Sequence, residues 1–378
     1  MMTDLKQRIE SIFDDPNFKH TRVAIVSDAA PQRNGVGAYY YDLGQYLEIA
    51  LEDLLVIAPE IKDGKWLGGI AVQMPGDPTQ KFMIPNPLRM WRQLRQERPK
   101  VIIIATPGLY GVFGSIIGRL LGAKVLIGFH TWFEKLTGLY WGKIQGNLNL
   151  FYFKVSNGIL FLLGHKVFAN SEHMVDIANE QGAKHCELVG TPLSFDFANT
   201  PLVPGTNEVK NILFAGRLAA EKNLESIIKA AEDHPDLHFS VIGDGILRAM
   251  MESAESRLPN FTYLGWKSRI ELMNEIDQHD ALVLPSIVES FGTIALEAMS
   301  RERFTIVSSD CGITQWTNMC DGMSIMDVNS DLSEHLTQVK TLSKEEISAK
   351  NALGYQRAIE LNEWSLDLWK KLLLQYSK

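Results

Sequence analysis

The sequence predicts an α/β protein with two doubly wound domains, in each of which helices cover a parallel sheet. Short apolar runs rich in β-branched residues alternate with longer segments that have a helical period. The alternation is interrupted by the polar stretch 200–210, which contains proline and glycine, and then starts again. The length of 378 residues also exceeds the size at which one hydrophobic core usually stops growing.

The first half of the chain is expected to form one sheet with its covering helices. Its strand candidates are short apolar runs, as expected for strands buried on both faces of a parallel sheet. The predicted strands are 22–27, 53–58, 101–106, 124–129 and 166–171. The predicted helices are 37–50, 87–98, 109–121 and 172–182, and the charged segment 1–15 is expected to form a short amphipathic helix.

The second half repeats the pattern and defines the expected domains. Its predicted strands are 211–216, 238–243, 261–265, 281–286 and 304–309. We expect a first domain at 1–203, a second at 204–357, and a helix at about 358–378 that packs back on the first domain. Since doubly wound sheets bind ligands beyond the carboxyl ends of their strands, a site in a cleft between the two domains is expected.

Composition and charge indicate which partners and which cellular location to expect. The net charge of −8 argues against nucleic acid as the main partner, because proteins that bind phosphate backbones usually carry a basic excess. The three cysteines, Cys186, Cys311 and Cys320, do not form a disulfide pattern, so a cytoplasmic location is expected. The N-terminal segment lacks the apolar core of a secretion signal, and the apolar run 158–164 is too short to span a bilayer.

A glycine-containing loop follows the first predicted strand. Asn34, Gly35 and Gly37 stand between this strand and a helix, where small residues let a ligand approach backbone N–H groups. A phosphate or a sugar could lie there, or the loop could be a tight turn without a ligand. The third glycine of G-x-G-x-x-G is absent, so the dinucleotide fingerprint is incomplete.

Two cations follow the first strand of the second domain. The strand ends at Gly216, and Arg217 and Lys222 precede the next helix. Cations at a helix amino terminus add to its partial positive charge and favour a diphosphate. The alternative is that both are surface residues paired with Glu221 or Glu225. Gly243 and Gly245, after the next strand, are interpreted as a helix start.

The segment ESFGTIALEAMS carries a carboxylate at each end. Glu289 is expected in the turn after a buried strand, whereas Glu297 is expected one turn into a helix that starts at Thr293. Free N–H groups at 291–294 could face an anionic leaving group, and a nearby carboxylate could accept hydrogen bonds from sugar hydroxyls. The alternative for Glu297 is that it faces solvent.

Together, these motifs resemble glycosyltransferase family 4, a group of retaining enzymes that use nucleotide sugars and have the GT-B fold of two Rossmann-like domains facing each other across a cleft. The motifs occur in the family's order and cover nearly the whole chain. They are E-x7-E at 289–297 with an internal FG, GRL followed by Lys222, PQRNGV at 31–36, His130 in IGFHTWF, and ANSEHM at 169–174.

The resemblance implies a role for each matching residue. Arg217 and Lys222, with Gly216, would hold the donor's diphosphate and stabilise the departing nucleotide. Glu289 would bind hydroxyls of the donor sugar, assisted by the backbone of Phe291, Gly292 and Thr293. Glu297 would bind the ribose, and His130 would contact the sugar near the reacting carbon. Gly35 and Gly37 would border the diphosphate.

Cofactors and donors follow from the same resemblance. No D-x-D occurs in the sequence, and the two cations and the helix terminus can stabilise a leaving diphosphate, so no metal or other cofactor is expected. The nucleotide sugar is a substrate, with a UDP sugar the expected donor, although the motifs do not separate UDP from GDP or ADP.

A basic segment bears on the acceptor. PLRMWRQLRQERPK at 87–100 places Leu88, Trp91 and Leu94 on one helical face beside five basic residues and a single acidic one. This face could contact an anionic membrane and a lipid acceptor, or it could pack on the domain's own sheet. The apolar stretch 148–164 could likewise be acceptor surface or core.

The leading hypothesis is a cytoplasmic, metal-independent retaining transferase that builds a glycolipid or a cell-surface glycan, with peripheral membrane contact. A sugar-nucleotide epimerase of the same fold, a binding subunit that does not turn over, and an NAD-dependent oxidoreductase are the alternatives. The incomplete glycine fingerprint weakens the last of these.

Overall fold

The computed structural model describes residues 2–31, 35–62, 65–73, 81–132, 135 and 143–378. The chain divides into two units, which are described separately. Unit 1 consists of Met1–Phe195 and Leu361–Lys378, and unit 2 of Asp196–Glu360. Among helices in the described part of the chain, none has the length and apolarity needed to cross a membrane.

Unit 1 is built on a parallel sheet of six strands. The strands lie in the order β10-β9-β8-β7-β1-β2, so β1 lies between β7 and β2, with Val23 opposite both Val101 and Leu54. They are β1 (Val23–Val26), β2 (Leu54–Ile57), β7 (Val101–Ile104), β8 (Lys124–Gly128), β9 (Lys166–Ala169) and β10 (Cys186–Leu188). Two antiparallel pairs that the sequence did not predict are β3 (Glu60–Lys62) with β4 (Lys65–Leu67), and β5 (Gly69–Gln73) with β6 (Lys81–Pro85).

Helices cover this sheet and bury its apolar faces. They are α1 (Met2–Phe13), α2 (Pro16–Lys19), α3 (Gly35–Ala50), α4 (Pro87–Glu97), α5 (Leu109–Leu120), α6 (Lys143–Leu163) and α7 (Glu172–Glu180). Gly111, Gly114 and Gly118 form a stripe on α5, and a Cβ atom on any of them would clash with Thr106, Val26 or Ile102. The glycines therefore allow α5 to lie directly on β1 and β7.

Unit 2 repeats the architecture with the strand order β13-β12-β11-β14-β15-β16. Its strands are β11 (Asn211–Ala215), β12 (His238–Ile242), β13 (Phe261–Gly265), β14 (Ala281–Leu284), β15 (Phe304–Ser308) and β16 (Ser324–Met326). All five neighbouring strand pairs in this sheet are parallel, and the order reverses between β11 and β14. Because chain connections leave in opposite directions at this point, a crevice opens at the carboxyl ends of β11 and β14.

The remaining helices belong mainly to unit 2. They are α8 (Phe195–Asn199), α9 (Leu224–Asp233), α10 (Arg248–Arg257), α11 (Arg269–Gln278), α12 (Thr293–Ser300), α13 (Thr317–Cys320), α14 (Leu332–Val339) and α15 (Lys344–Ser377). The α/β class with two Rossmann-like domains is confirmed by these two sheets and their helices.

The boundary between the units lies at Phe195 and Asp196, not at 203 and 204 as predicted. Two buried arginines of unit 2 explain the difference. Arg301 donates hydrogen bonds to the carbonyls of Thr200 (3.0 Å) and Pro201 (2.7 Å), and Arg303 donates to that of Val203 (3.2 Å). These bonds fix the segment that follows α8 to unit 2.

The end of α15 packs on unit 1, in the way expected for the segment 358–378. Trp369 is fully buried, and its indole N–H donates a 2.8 Å hydrogen bond to the Tyr39 hydroxyl. The Asn362 side chain accepts a hydrogen bond from the Leu193 N–H at 2.9 Å. The helix begins at Lys344, earlier than predicted, and its first part is counted with unit 2.

Candidate functional site

Predicted site residues of unit 2 gather at the carboxyl ends of β11 and β14. Gly216 and Arg217 follow β11, and a 3₁₀ turn at Ala220–Lys222 leads into α9. Glu289 lies in the turn that follows β14. The Ile287 N–H donates a 2.9 Å hydrogen bond to the Glu221 carbonyl, which ties the two turns together. The strand order thus brings distant motifs to one crevice.

Lys222 and Glu289 form an ion pair. Both side chains are mostly buried, so the attraction is less screened than that of a surface pair. The pair joins the GRL motif to the E-x7-E motif, whereas the sequence offered Glu221 and Glu225 as alternative partners. A cation and a carboxylate are consequently adjacent at the mouth of the crevice.

Arg217 pairs with Glu221, one of the partners considered from the sequence. The guanidinium Nη2 atom lies 2.6 Å from the carboxylate of Glu221. The Arg217 side chain is 32% exposed and that of Glu221 is 2% exposed. The buried acid therefore orients a guanidinium that remains accessible to an anion from solvent.

The loop before α12 is held in one conformation by the segment after β15. The N–H groups of Gly312 and Ile313 donate hydrogen bonds to the carbonyls of Glu289 (3.0 Å) and Phe291 (2.7 Å). Gly292 has a φ of 96°, and a Cβ atom there would lie 2.5 Å from the Cys311 Sγ atom. This position therefore requires glycine for both its backbone conformation and its space.

Helix α12 begins at Thr293, as predicted, and Gly292 occupies its N-cap position. No side chain among the described residues caps this terminus. The N–H groups of the first turn and the helix dipole can therefore act on an anion placed beside the loop.

Glu297 is buried, so the interpretation in which it faces solvent is wrong. Its side chain is 2% exposed and forms an ion pair with Arg269, which is 14% exposed. The Arg269 guanidinium also lies over the ring of Phe197, 5.6 Å from its centre. Arg269 could not be predicted from the sequence, because it lies outside every motif and only the fold brings it to Glu297.

In unit 1, His130 is buried beside two tyrosines of α3. Its Nε2 atom lies 2.7 Å from the Tyr40 hydroxyl, and its ring is 4.9 Å from that of Tyr39. Burial lowers the pKa of His130 to about 4, and a hydrogen bond with the Asn170 side chain opposes this only in part. His130 is therefore a neutral imidazole near pH 7.

Gly35 and Gly37 lie in the first turn of α3. Gly37 is buried and Gly35 is exposed with free space around its Cα atom. Asn34, which precedes them in the predicted loop, lies outside the described residues. The positions are compatible with a turn and with a ligand, so both interpretations of this loop stay open.

Gly243 and Gly245 were interpreted as a helix start, and they lie in the turn before α10, which begins at Arg248. They have φ values of 149° and 159°, and Cβ atoms there would meet the backbone of Gly216 and Leu218. These glycines let the turns after β11 and β12 approach each other.

Asp28 was not selected from the sequence, although it follows β1 at the point where the strand order of unit 1 reverses. Its carboxylate accepts hydrogen bonds from the N–H groups of Tyr110 (2.8 Å) and Gly111 (3.2 Å) at the start of α5, and from the Thr106 hydroxyl (2.7 Å). Burial nevertheless raises the pKa of Asp28 to about 6. An external anion cannot take this helix terminus while Asp28 holds it.

Within the described residues, no group of three or more histidine, cysteine, aspartate or glutamate side chains has the arrangement of a metal site. Cys311 and Cys320 are free thiols, and their Sγ atoms donate hydrogen bonds to the backbone carbonyls of Phe291 and Thr314.

Two family models match the chain in succession. Glycosyltransferase Family 4 matches residues 33–193, and Glycosyl transferases group 1 matches residues 203–352. A GDP-mannose-dependent alpha-mannosyltransferase of Mycobacterium tuberculosis is 26% identical over 314 residues, or 77% of this chain and 79% of the relative. Sulfoquinovosyl transferase SQD2 of Arabidopsis thaliana is 23% identical over 330 residues, or 79% of this chain and 63% of the relative.

Solved structures share the fold at low sequence identity. Sucrose-phosphate synthase from Thermosynechococcus elongatus superposes with a TM-score of 0.68 at 14% identity, over 94% of this chain and 98% of the other. Alr3699/HepE of Anabaena, solved in complex with UDP and glucose, gives a TM-score of 0.67 at 13% identity, over 93% and 99%. At this identity, the comparison concerns the fold alone.

Proposed function

The chain belongs to the group 1 glycosyltransferases of the family 4 type, and from this premise we propose that it is a retaining, metal-independent enzyme that transfers a sugar from a nucleotide sugar to a glycolipid or a cell-surface glycan. The observation that carries the proposal is the ion pair between Lys222 and Glu289 at the carboxyl ends of β11 and β14. In this proposal the cation of the pair binds the diphosphate, and the neighbouring carboxylate accepts hydrogen bonds from sugar hydroxyls.

The diphosphate of the donor binds at Lys222, Arg217 and the first turn of α12. Lys222 exchanges part of its contact with Glu289 for a phosphate oxygen, and Arg217, held by Glu221, presents a second cation. Negative charge grows on the diphosphate as the bond to the sugar breaks. These preorganised charges stabilise that charge, and each contact of this kind is commonly worth a few kcal/mol.

The carboxylate of Glu289 accepts hydrogen bonds from hydroxyls of the donor sugar, and the backbone from Phe291 to Thr293 assists it. Hydrogen bonds from Gly312 and Ile313 fix this backbone, so little conformational entropy is lost when the sugar binds. Glu297 accepts hydrogen bonds from the hydroxyls of the ribose. His130, neutral near pH 7, contacts the sugar near the reacting carbon as a hydrogen-bonding group.

A UDP sugar is the proposed donor. Support comes from the shared fold with Alr3699/HepE, whose structures contain UDP and UDP-glucose. A GDP-mannose-dependent relative makes GDP sugars the necessary comparison. The epimerase, the binding subunit and the NAD-dependent oxidoreductase are less favoured, because family membership and intact Arg217, Lys222, Glu289 and Glu297 all agree with sugar transfer.

The proposed lipid acceptor is supported by one surface of unit 1. On α4, Leu94 is buried and Trp91 packs against the core, whereas Leu88 is 70% exposed. Helix α5 contacts both α4 and α6, and α6 exposes Phe151, at 69%, with other apolar side chains. The basic residues of 87–100 lie on α4 or directly after it, on the helix that also exposes Leu88, so this helix complements an anionic bilayer.

Transfer is tested by nucleotide release from UDP, GDP and ADP sugars in EDTA, with and without an extracted lipid fraction. We expect release from one donor, stimulated by lipid and lost in Glu289→Ala. Analysis of the product's anomeric configuration by NMR then tests retention. Donor binding without release from any donor under either condition would contradict transfer to a lipid and favour the binding subunit.

Membrane contact is tested by flotation with vesicles of phosphatidylglycerol and phosphatidylcholine. We expect binding by the wild type and loss of binding in the double variant Arg92→Glu and Arg95→Glu. The matched control reverses the charges of Arg248 and Arg257 on α10 of unit 2. Equal flotation with vesicles of phosphatidylcholine alone would count against the anionic surface.

A further inference from the structure

Arg269 connects two helices of unit 2. It is the first residue of α11, whose start is fixed by a capping box between Ser268 and Glu271. Its side chain extends to Glu297 on α12, the helix that begins with the loop containing Glu289. No motif that defines the family in this chain contains Arg269.

Because Glu297 is buried, the ionisation of its carboxylate depends on its cation partner. A buried carboxylate without a compensating charge is destabilised and favours its protonated form, whereas arginine is always charged in proteins. The side chain of Glu297 is 2% exposed and its carboxylate contacts the Arg269 guanidinium. Arg269 therefore favours the ionised form of a carboxylate that solvent barely reaches.

Ionisation decides what Glu297 can bind. An ionised carboxylate is a pure acceptor, and two adjacent hydroxyls of a ribose are donors that suit it. A protonated carboxyl would present a donor on one oxygen and lose part of this match. The Arg269 guanidinium is itself held, because it also lies over the ring of Phe197, 5.6 Å from the centre of that ring.

We propose that Arg269 is a positioning residue for nucleotide recognition, which keeps Glu297 ionised and oriented toward the ribose of the donor. The proposal rests on the proposed function, because it takes Glu297 as the ribose-binding carboxylate. According to this proposal, selectivity for a ribonucleotide also depends on Arg269, a residue outside the motifs.

The test is calorimetric titration of the full chain with UDP, GDP and their 2′-deoxy analogues from about pH 6 to about pH 8. In the wild type we expect one ribonucleotide to bind more tightly than its deoxy analogue, by a factor that is nearly independent of pH. In Arg269→Gln we expect roughly tenfold weaker ribonucleotide binding or more, and a preference for ribose that is smaller and rises with pH as Glu297 loses its proton. This ratio is the readout because the terminal phosphate of the nucleotide itself titrates at about pH 6 and changes both affinities alike.

Three further variants keep the test specific. Arg269→Lys is expected to restore most of the affinity, and the addition of Glu297→Gln to Arg269→Gln is expected to remove the pH dependence of the preference for ribose. The double variant Arg269→Gln and Glu297→Gln is expected to bind no more weakly than Glu297→Gln, because both residues act through one contact. The control Arg257→Gln removes an exposed arginine that pairs with Glu232 and is expected to bind like the wild type.

The outcomes separate the inference from the proposed function. If the wild type binds neither UDP nor GDP, the proposed use of those donors fails whatever Arg269 does. If the wild type binds and Arg269→Gln loses affinity for the ribonucleotide and for its 2′-deoxy analogue equally at every pH, Arg269 is only structural. Unchanged binding in a folded Arg269→Gln would overturn the inference as well.

Discussion

Lys222 and Glu289 are ion-paired across 67 residues of sequence, from the turn after β11 to the turn after β14. In the proposed function, the pair offsets the repulsion that Glu289 alone would exert on the donor's diphosphate, and it holds the Lys222 ammonium in place before the donor binds. Lys222 would then exchange part of its contact with Glu289 for a contact with the diphosphate. The two residues are consequently expected to differ in what their removal changes.

Replacement of Lys222 by alanine should slow transfer by roughly a hundredfold or more, because a preorganised charge on the leaving diphosphate is lost. Loss of Arg217 should have a similar effect. The measurement is kcat/KM for nucleotide release from the accepted donor. Arg257→Ala, on an exposed surface pair, serves as the control and should retain full activity.

Replacement of Glu289 by glutamine should separate binding from turnover. The amide removes a negative charge beside Lys222 and leaves that cation available, so UDP should bind as tightly as to the wild type or more tightly. Turnover should fall by roughly tenfold or more, because a charged acceptor for sugar hydroxyls is lost. Calorimetry with UDP and initial rates measure the two effects; weaker UDP binding in a folded variant would contradict this account.

Gly292→Ala should destabilise unit 2 through two separable effects. The φ of 96° costs about 1–2 kcal/mol for an L residue, and contact with the Cys311 Sγ atom adds a steric cost. Gly182 offers a matched control, since its φ is 98° and its added Cβ atom meets nothing within 4 Å. Urea unfolding of both alanine variants should show the larger loss at Gly292, and equal losses would remove the steric argument.

His130 should make the fold less stable in acid. The pKa of its imidazole falls from 6.5 to about 4 on folding, so the unfolded chain binds the proton more readily between those values. The contribution to the free energy of unfolding is complete above about pH 6.5 and is lost as the pH falls toward 4, up to about 3 kcal/mol.

Asp28 should act in the opposite direction. Its pKa rises from 3.8 to about 6 on folding, so stability falls as the pH rises through this window. Urea unfolding at several pH values should therefore be compared for the wild type, His130→Gln and Asp28→Asn. The acid sensitivity should shrink in His130→Gln and grow in Asp28→Asn; parallel curves for all three proteins would exclude both assignments.

The sequence pattern predicted the sheets because strands buried on both faces of a parallel sheet are short, continuous apolar runs. All ten predicted strands are present, but the edge strands β10 and β16 and the antiparallel pairs β3–β4 and β5–β6 were not predicted. β10 and β16 have only three residues each, and each contains a polar residue, so they lack the apolar run that marks the predicted strands. Helix α6 was not predicted because its apolar residues face both the core and solvent, as Phe153 and Phe151 show.

The candidate site was predicted only as far as its motifs extend. Lys222 and Glu289 were chosen separately, whereas their contact depends on the strand order around β11 and β14. Arg269 and Asp28 carry ordinary local patterns, and their contacts with Glu297 and the start of α5 arise from tertiary structure. Such residues can be found only after the sheet topology is known.

The return of residues 361–378 to unit 1 has a consequence for biosynthesis. Unit 2 is one continuous stretch of chain, so it can fold as soon as it leaves the ribosome. Unit 1 is made first, yet the pocket around Tyr39 and Phe168 stays unfilled until Trp369 has been translated. The amino-terminal unit is therefore the last to mature, and a ribosome that stalls after unit 2 would leave its partly built core to chaperones.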